Sequence, residues 1–417
     1  MKLSLLKIGT TGLVATLLTS PFAISQDESF FDRDRYVAVT DRSQPAYDPE
    51  PLRVGAFEVR PDLEVGAGTR SNLFATENNE ISDVVLVAAP RVRAESTWSR
   101  HQLNFDANVR HAEFLDVGSQ STTAYGGSLR GRLDVSSAFD ISAGVRASKG
   151  FEGRTDAVNV LAPGEPVEVD RNGVELAGRY QSGRIKLEAS VGFEEADFED
   201  AALDGGGTLD QDFRDRDQTS YRARASWAVN RDLALFVEGR QVEREYNSQG
   251  VLNRDSTGEI IRIGANFELP VLLRGDIAIG TQSFEFDDPT LQEIDGTSID
   301  ARLQWFVTQL VTITAAGSQT VEDPGLFAAP GADITSWTLR GDYEARRNLL
   351  IFAQANVAEY DFEGVNRTDD RLSASVGATY KVNKNMWVET SYRHTNQDSN
   401  VQEFTDNRLQ VALKLHP

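Results

Sequence analysis

The stretch Asp83–Glu113, DVVLVAAPRVRAESTWSRHQLNFDANVRHAE, carries the information that decides the fold. In its first arm Val84, Leu86, Ala88, Val92 and Ala94 share one parity, and Arg91, Arg93, Glu95 and Thr97 share the other. A period of two makes two faces only in a β-strand. In the second arm Leu103, Phe105, Ala107 and Val109 alternate with Asn104, Asp106, Asn108 and Arg110, and only Ser99, Arg100 and His101 separate the arms. The two should therefore pair antiparallel, with one apolar and one charged face. In a soluble sandwich the apolar face needs a partner sheet; in a transmembrane β-barrel it faces lipid, and arms of about ten alternating residues suit such a barrel.

The rest of the chain bears on that choice. Its 417 residues carry a formal net charge of -22 and no cysteine. The acidic balance argues against nucleic acid as a partner, which would need clustered Lys and Arg. The lack of cysteine excludes disulfide scaffolds and thiolate sites and fits an oxidising periplasm. A mean hydropathy of -0.38 suits a barrel diluted by a polar lumen and polar loops as well as a soluble domain. Lys2 and Lys7, the apolar run Ile8–Leu18 and the small residues of Ala23-Ile24-Ser25 read as a signal peptide over residues 1–25, cleaved before Gln26. No second long apolar run follows. Any membrane crossing must then be made by strands, which satisfy their backbone groups by closing into a barrel.

Residues 26–54 are polar and contain Pro45, Pro49 and Pro51, so they read as an extended periplasmic segment, with FFDRDRY (Phe30–Tyr36) as a candidate short plug. Residues 55–417 form the barrel. Alternation recurs in about eighteen segments from Phe57–Ala67 to Leu409–Leu415, among them Val174–Tyr180, Tyr221–Val229, Leu233–Gln241 and Leu310–Ala316. Short links such as Ser182-Gly183-Arg184, Asn230-Arg231-Asp232, Arg346-Arg347-Asn348 and Asn383-Lys384-Asn385 alternate with long polar ones such as Gly150–Arg171 and Glu195–Gln218. The predicted fold is thus all-β: an antiparallel up-and-down transmembrane barrel with short periplasmic turns and long extracellular loops. A secreted all-β domain or a β-solenoid gives no reason for that alternation of links. Trp98, Trp227, Trp305 and Trp387 lie beside short turns, where an interfacial girdle belongs, and Trp337 alone lies near a long loop. Pro61 and Pro90 fall inside strand patterns, so bulges or local strand ends are expected there.

Three stretches, FEVRPDLEVGAGTRSNLFAT (Phe57–Thr76), the hairpin above and the ending SYRHTNQDSNVQEFTDNRLQVALKL, resemble the putative beta-barrel porin type 2 family of Gram-negative outer membranes. The resemblance covers nearly all of the chain after its leader. It implies an outer-membrane barrel surrounded by lipid and lipopolysaccharide. Because members of that family are often associated with exopolysaccharide loci, it also implies a glycan cargo and periplasmic polysaccharide export proteins as partners. One departure stands out: barrels of this kind usually end on an aromatic residue, and this chain ends Leu415-His416-Pro417.

No enzyme is expected. His101, His111, His394 and His416 show no metal-ligand spacing and read as solvated; no nucleophile elbow, phosphate loop or dinucleotide fingerprint is present. No cofactor and no metal are expected either, although the acidic loop Glu194–Asp217, with Gly205-Gly206-Gly207 at its centre, is the one place where a hard cation is a candidate against a plain solvated loop. The residues singled out are arginines on the charged parity: Arg91, Arg93, Arg110, Arg130, Arg132, Arg146, Arg179, Arg222, Arg224, Arg262, Arg274, Arg302, Arg340, Arg371 and Arg393. They should line the lumen. There they either pair with carboxylates across strands to hold the wall, or make the channel basic, or do both. The function read from this is a porin-like conduit for surface polysaccharide or small anionic solutes. The competing class is a closed structural or adhesive barrel that acts through its acidic loops.

The unusual terminus generates a prediction. Replacing His416-Pro417 by a single Phe after Leu415 should speed assembly into lipid vesicles, followed by the mobility shift between folded and heat-denatured protein. An unchanged rate would place the signal in Leu409, Val411 and Leu413 instead.

Overall fold

The computed structural model describes residues 30–31, 36–154, 164–203, 206–247, 253–326 and 329–417. The predicted signal peptide and its cleavage site, residues 32–35 of the plug candidate, and Gly205 of the acidic loop lie outside the described residues. The strands are β1 (Leu52–Val54), β2 (Phe57–Arg70), β3 (Asp83–Ser96), β4 (Gln102–Phe114), β5 (Thr122–Asp134), β6 (Phe139–Phe151) and β7 (Glu168–Ser182). They continue as β8 (Ile185–Phe198), β9 (Ala201–Ala202), β10 (Thr208–Leu209), β11 (Arg216–Ala228), β12 (Leu233–Tyr246), β13 (Ser256–Leu269) and β14 (Leu273–Phe286). The last are β15 (Ile294–Thr308), β16 (Val311–Glu322), β17 (Ala332–Arg346), β18 (Leu349–Phe362), β19 (Arg367–Asn383), β20 (Met386–Ser399) and β21 (Phe404–Leu415).

Strands β2–β8 and β11–β21 each pair antiparallel with their neighbours in the chain, β8 pairs with β11, and β21 returns to β2 from Leu63↔Leu415 to Arg70↔Arg408. The result is a closed barrel of eighteen strands. The nineteenth member of the sheet, β1, pairs only with the start of β2; β9 and β10 form a two-stranded ladder in a loop.

Each of the eighteen predicted segments corresponds to one barrel strand, and the larger differences lie at the long-loop end. There β7 starts at Glu168 rather than Val174, β11 at Arg216 rather than Tyr221, β21 at Phe404 rather than Leu409, and β16 runs on to Glu322 rather than stopping at Ala316. The long links shrink accordingly, to 152–167 and 199–215. The reason is solvation. On β12, Leu235 and Val237 are exposed on the outer parity, but Gln241, Glu243 and Glu245 follow them. Past the lipid both faces are wet and the alternation stops, while the hydrogen-bond ladder continues. Fourteen-residue strands extend about 46 Å, more than an apolar band about 25 Å tall requires even with tilt.

Two aromatic levels mark that band. Tyr180, Trp227, Trp305, Tyr343 and Tyr380 are exposed near the short turns, and Tyr125, Tyr221, Trp337 and Tyr392 are exposed farther up. Tyr221 and Trp227 on β11, like Trp337 and Tyr343 on β17, stand six residues apart, about 20 Å along the strand. Trp337, which the sequence left as an exception, belongs to the upper level. Trp387 does not belong to the girdle: it lies on the other parity of β20, with its indole N–H donating to the Tyr47 carbonyl (3.1 Å). Its ring meets that of His416 edge-on at 4.8 Å. His416 is accordingly buried rather than solvated. At the prolines no bulge is needed. The β2–β21 ladder begins only at Leu63, past Pro61, and the β3–β4 ladder lapses at Ala89 and Pro90 and resumes in the same register at Arg91↔Asn108.

The residues before the barrel identify its inner face. Phe30 and Phe31 pack on Ala228 and Ala234, the Phe30 N–H donates to Asn266 Oδ1 (2.9 Å) and the Val39 N–H to Thr312 Oγ1 (3.1 Å). Arg42 pairs with Glu344 (2.8 Å) and Asp48 with Lys381 (3.0 Å). These partners lie on β11 to β19 and all share the parity opposite to the exposed apolar residues. One short segment reaches them together only from inside, so the polar parity is the concave one.

Inside, a repeated device fills the wall. Phe236, Phe284 and Phe352 lie directly opposite Gly264, Gly258 and Gly377 on the next strand. Each ring covers the space a side chain would take. Its other side carries a guanidinium: Arg224 at 4.0 Å, Arg244 at 5.4 Å and Arg340 at 4.2 Å from the respective ring centroids, within cation–π range. A Cβ at Gly264 would stand 2.3 Å from the Phe236 ring and 2.4 Å from the Ile277 carbonyl oxygen, whereas one at Gly239 meets nothing within 4 Å. Gly264→Val should therefore cost about 1–3 kcal/mol through overpacking, measured by urea unfolding in lipid vesicles, while Gly239→Val should be neutral or stabilising. Equal effects of the two would refute this packing account.

Candidate functional site

The fifteen arginines singled out in the sequence all lie in barrel strands on the polar parity, and thirteen of them fall into three groups by partner. Arg91, Arg93, Arg132, Arg179 and Arg340 meet Asp106, Asp62, Asp134, Asp140 and Asp342 at 2.8–3.1 Å, Arg110 meets Glu64 at 3.7 Å, and Arg146 meets Glu194. Arg274, Arg371 and Arg393 bond only to neutral oxygens, those of Gln304 (2.6 Å), Gln397 (2.7 Å) and Ser375 (3.3 Å). Among the described residues Arg130 and Arg302 make no hydrogen bond or ion pair.

The third group, Arg222, Arg224 and Arg262, gathers around one carboxylate. Glu238 on β12 accepts from Arg222 (2.6 Å) and Arg224 (2.8 Å) and lies 3.5 Å from Arg262. Asp276 reaches Arg224 (3.3 Å) and Asp300 reaches Arg262 (3.4 Å). Arg240 joins them. It stands directly opposite Arg222 in the β11–β12 ladder, an unfavourable like-charge pairing, and among the described residues it forms no hydrogen bond or ion pair. Arg244, four residues farther toward the long-loop end, bonds to the neutral oxygens of Gln218 (3.1 Å) and Val321 (3.1 Å). Three adjacent strands thus present Arg222, Arg224, Arg240 and Arg262 to the interior around Glu238, with Arg244 farther toward the outer mouth.

The sequence pattern did not isolate Arg240 and Arg244. At the start of β12 both parities are apolar, Leu233, Leu235 and Val237 against Ala234 and Phe236, which blurred the inner face. Arg244 lies past the predicted strand end at Gln241. Strict parity counting from Glu238 would have found both.

At the outer mouth the loops form an ionic cluster that sequence spacing cannot reveal. Asp323, at the start of the link 323–331, receives Arg216 (3.0 Å), the Tyr246 hydroxyl (3.0 Å), Arg254 (3.4 Å) and the Gly325 N–H (2.9 Å). Burial opposes its charge, but Arg216, Arg254 and Arg214 hold the carboxyl well below the usual carboxylate range. Arg214 is clamped by Glu152 and Gln211 over the Phe198 ring. Asp323 follows β16 and Arg216 opens β11, so the start of this link, residues 323–325, folds inward across the mouth.

The acidic loop brings Asp200, Asp210 and Asp212 together, with carboxylate oxygens within 4.8 Å of one another and all three exposed. Asp200 and Asp210 already accept the N–H groups of Gln211 and Asp212. Asp215, at the foot of this loop, accepts the Phe198 N–H (2.7 Å). Burial pushes its carboxyl up to about 6, with Asp197, Asp212 and Glu199 adding to the effect. A carboxyl whose folded value is raised contributes stability that is complete below the unfolded value near 3.8 and is lost as pH rises through about 6. Protease cleavage within 199–215 should accordingly be faster at pH 7.5 than at pH 5, and Asp215→Asn should remove the difference. Equal rates in the parent protein would contradict this.

With this geometry in hand, comparison with known proteins gives the family. No curated protein matches the chain in sequence. Solved structures with similar backbones include the outer membrane protein OpdK from Pseudomonas aeruginosa, at TM-score 0.47 and 12% identity over 86% of this chain and 99% of that one. Another is a BenF-like porin from Pseudomonas fluorescens Pf-5, at 0.46 and 10% over 86% and 99%. A third is the FrpB iron transporter from Neisseria meningitidis, at 0.48 and 10% over 84% and 62%. The family model described as Putative beta-barrel porin 2 matches residues 44–416. Family and closed barrel together point to an outer-membrane channel rather than an enzyme, and the chain belongs to the Putative beta-barrel porin 2 family.

Proposed function

We propose that the barrel is an anion-selective diffusion channel, and that the fifteen arginines together with Arg240 and Arg244 line its aqueous path. The observation that carries this reading is the set of guanidinium groups around Glu238, with Arg240 facing Arg222 and lacking a carboxylate of its own. Barrels of this strand number leave room for water. In such a lumen an unpaired guanidinium concentrates anions and binds carboxylate or phosphate groups in bidentate fashion.

The inner aromatics favour charged over neutral cargo. A neutral glycan is held by stacking on exposed ring faces, but Phe236, Phe284, Phe352, Phe362 and Phe404 are buried, each beneath an arginine. Small anionic solutes fit this wall best. A polysaccharide would fit it through acidic sugars, whose carboxylates use the same arginines.

Reversal potentials across a salt gradient in planar bilayers test the proposal. The parent protein should be anion-selective, and Arg222→Gln/Arg240→Gln should shift the reversal potential toward zero while the folded band on gels keeps its mobility. Cation selectivity in the parent would overturn the reading. Absence of conductance would favour a closed structural or adhesive barrel acting through its acidic loops.

A further inference from the structure

Residues 36–54 run along the inside of the short-turn rim, touching successive strand pairs in order. The Tyr36 hydroxyl donates to the Pro270 carbonyl between β13 and β14 (3.3 Å), and its ring lies 5.3 Å from that of Phe306 on β15. Val39 meets Thr312 on β16. Arg42 bonds to the Gln309 carbonyl between β15 and β16 and to Glu344 on β17. Asp48 meets Lys381 on β19 and the Tyr47 carbonyl meets Trp387 on β20, after which β1 joins β2.

From these contacts we propose that residues 36–54 act as a strap that sets the size limit of the channel, narrowing its short-turn mouth along β13–β20 and directing solutes along the opposite arc, β3–β6. The proposal rests on reading the barrel as a conduit, and it adds a specificity determinant that is separate from charge.

The strap is seated rather than loosely laid. Val39 is 1% exposed, Ala38 3% and Gln44 4%, and the Glu344 carboxylate that receives Arg42 is 1% exposed. A buried carboxylate stripped of its guanidinium partner is costly, so the strap and the rim hold each other. The strap also lies over inner-face side chains at strand ends, where backbone placed against the wall subtracts directly from the open cross-section. The arc left to solutes carries charged groups, Glu95 on β3 facing Arg60 of β2 and Arg132 paired with Asp134 on β5, and therefore presents a hydrated polar surface.

The test uses single-channel recording in planar bilayers, with polyethylene glycols of increasing size as probes of the limiting diameter. Two variants are compared with the parent: deletion of residues 36–50, and Arg42→Ala/Asp48→Ala, which removes the pairs with the buried Glu344 and Lys381. Each should raise the unit conductance and shift polymer exclusion to larger sizes. A folded deletion variant with parental conductance and parental exclusion would overturn the proposal. If the deletion does not fold, the double substitution is judged by the same values. If the parent is silent, conductance in either variant supports the strap, and silence in all three overturns it. Selectivity is read from the same recordings: a cation-selective parent overturns the anion reading without touching the size result, and unchanged size limits overturn the strap without touching selectivity.

Discussion

Closure at the seam between β2 and β21 is the constraint on which the rest of the structure depends. In lipid each backbone N–H and C=O must find a partner within the protein, so a barrel that fails to close has no stable state there. This seam has eight residue pairs, whereas β2 and β3 share fourteen. Its ends are secured by other means. At the outer end the fully buried Asp406 holds Arg70 of β2 across the seam (3.0 Å), accepts the Asn72 N–H, and pairs along its own strand with Arg408 (2.7 Å). At the other end β21 stops at Leu415, and β1 pairs with Phe57–Val59 in its place.

The interior follows from that closure. An eighteen-strand wall encloses too much space for side chains to fill, so the inner face is stabilised laterally rather than by a central core. Arginine suits this task because its stem and guanidinium can cover a ring while its donors reach a neighbouring strand. Most of these groups find carboxylates. Around Glu238 they outnumber them.

How much of this was legible in the sequence depends on what each residue touches. Where a strand has lipid on one side and water on the other, composition must alternate, and every barrel strand was readable for that reason. Where water lies on both sides, as at Gln241, Glu243 and Glu245, the requirement disappears and the strand ends were missed. Trp387 sits next to a short turn like the girdle residues, yet its parity turns it inward; proximity in sequence was the wrong guide and parity the right one. The Asp323 cluster joins four loops through space and leaves no periodic trace. The same holds for the segment before the barrel: Phe30, Phe31 and Val39 lie in short apolar clusters without periodicity in a polar run, and only the finished wall gives them a place to pack.

That last point has a consequence for timing. The strap lies near the start of the chain, but its seat is built from residues 234 to 340 positions later, at Pro270, Thr312, Glu344 and Trp387. Contacts of such sequence separation form late, since the chain between must first be ordered. The strap can take its place only after β13–β20 stand side by side, so the barrel passes through a stage in which its walls exist and its short-turn mouth is still wide. Docking of this segment is then a late act of assembly, performed by residues that precede the barrel in the chain.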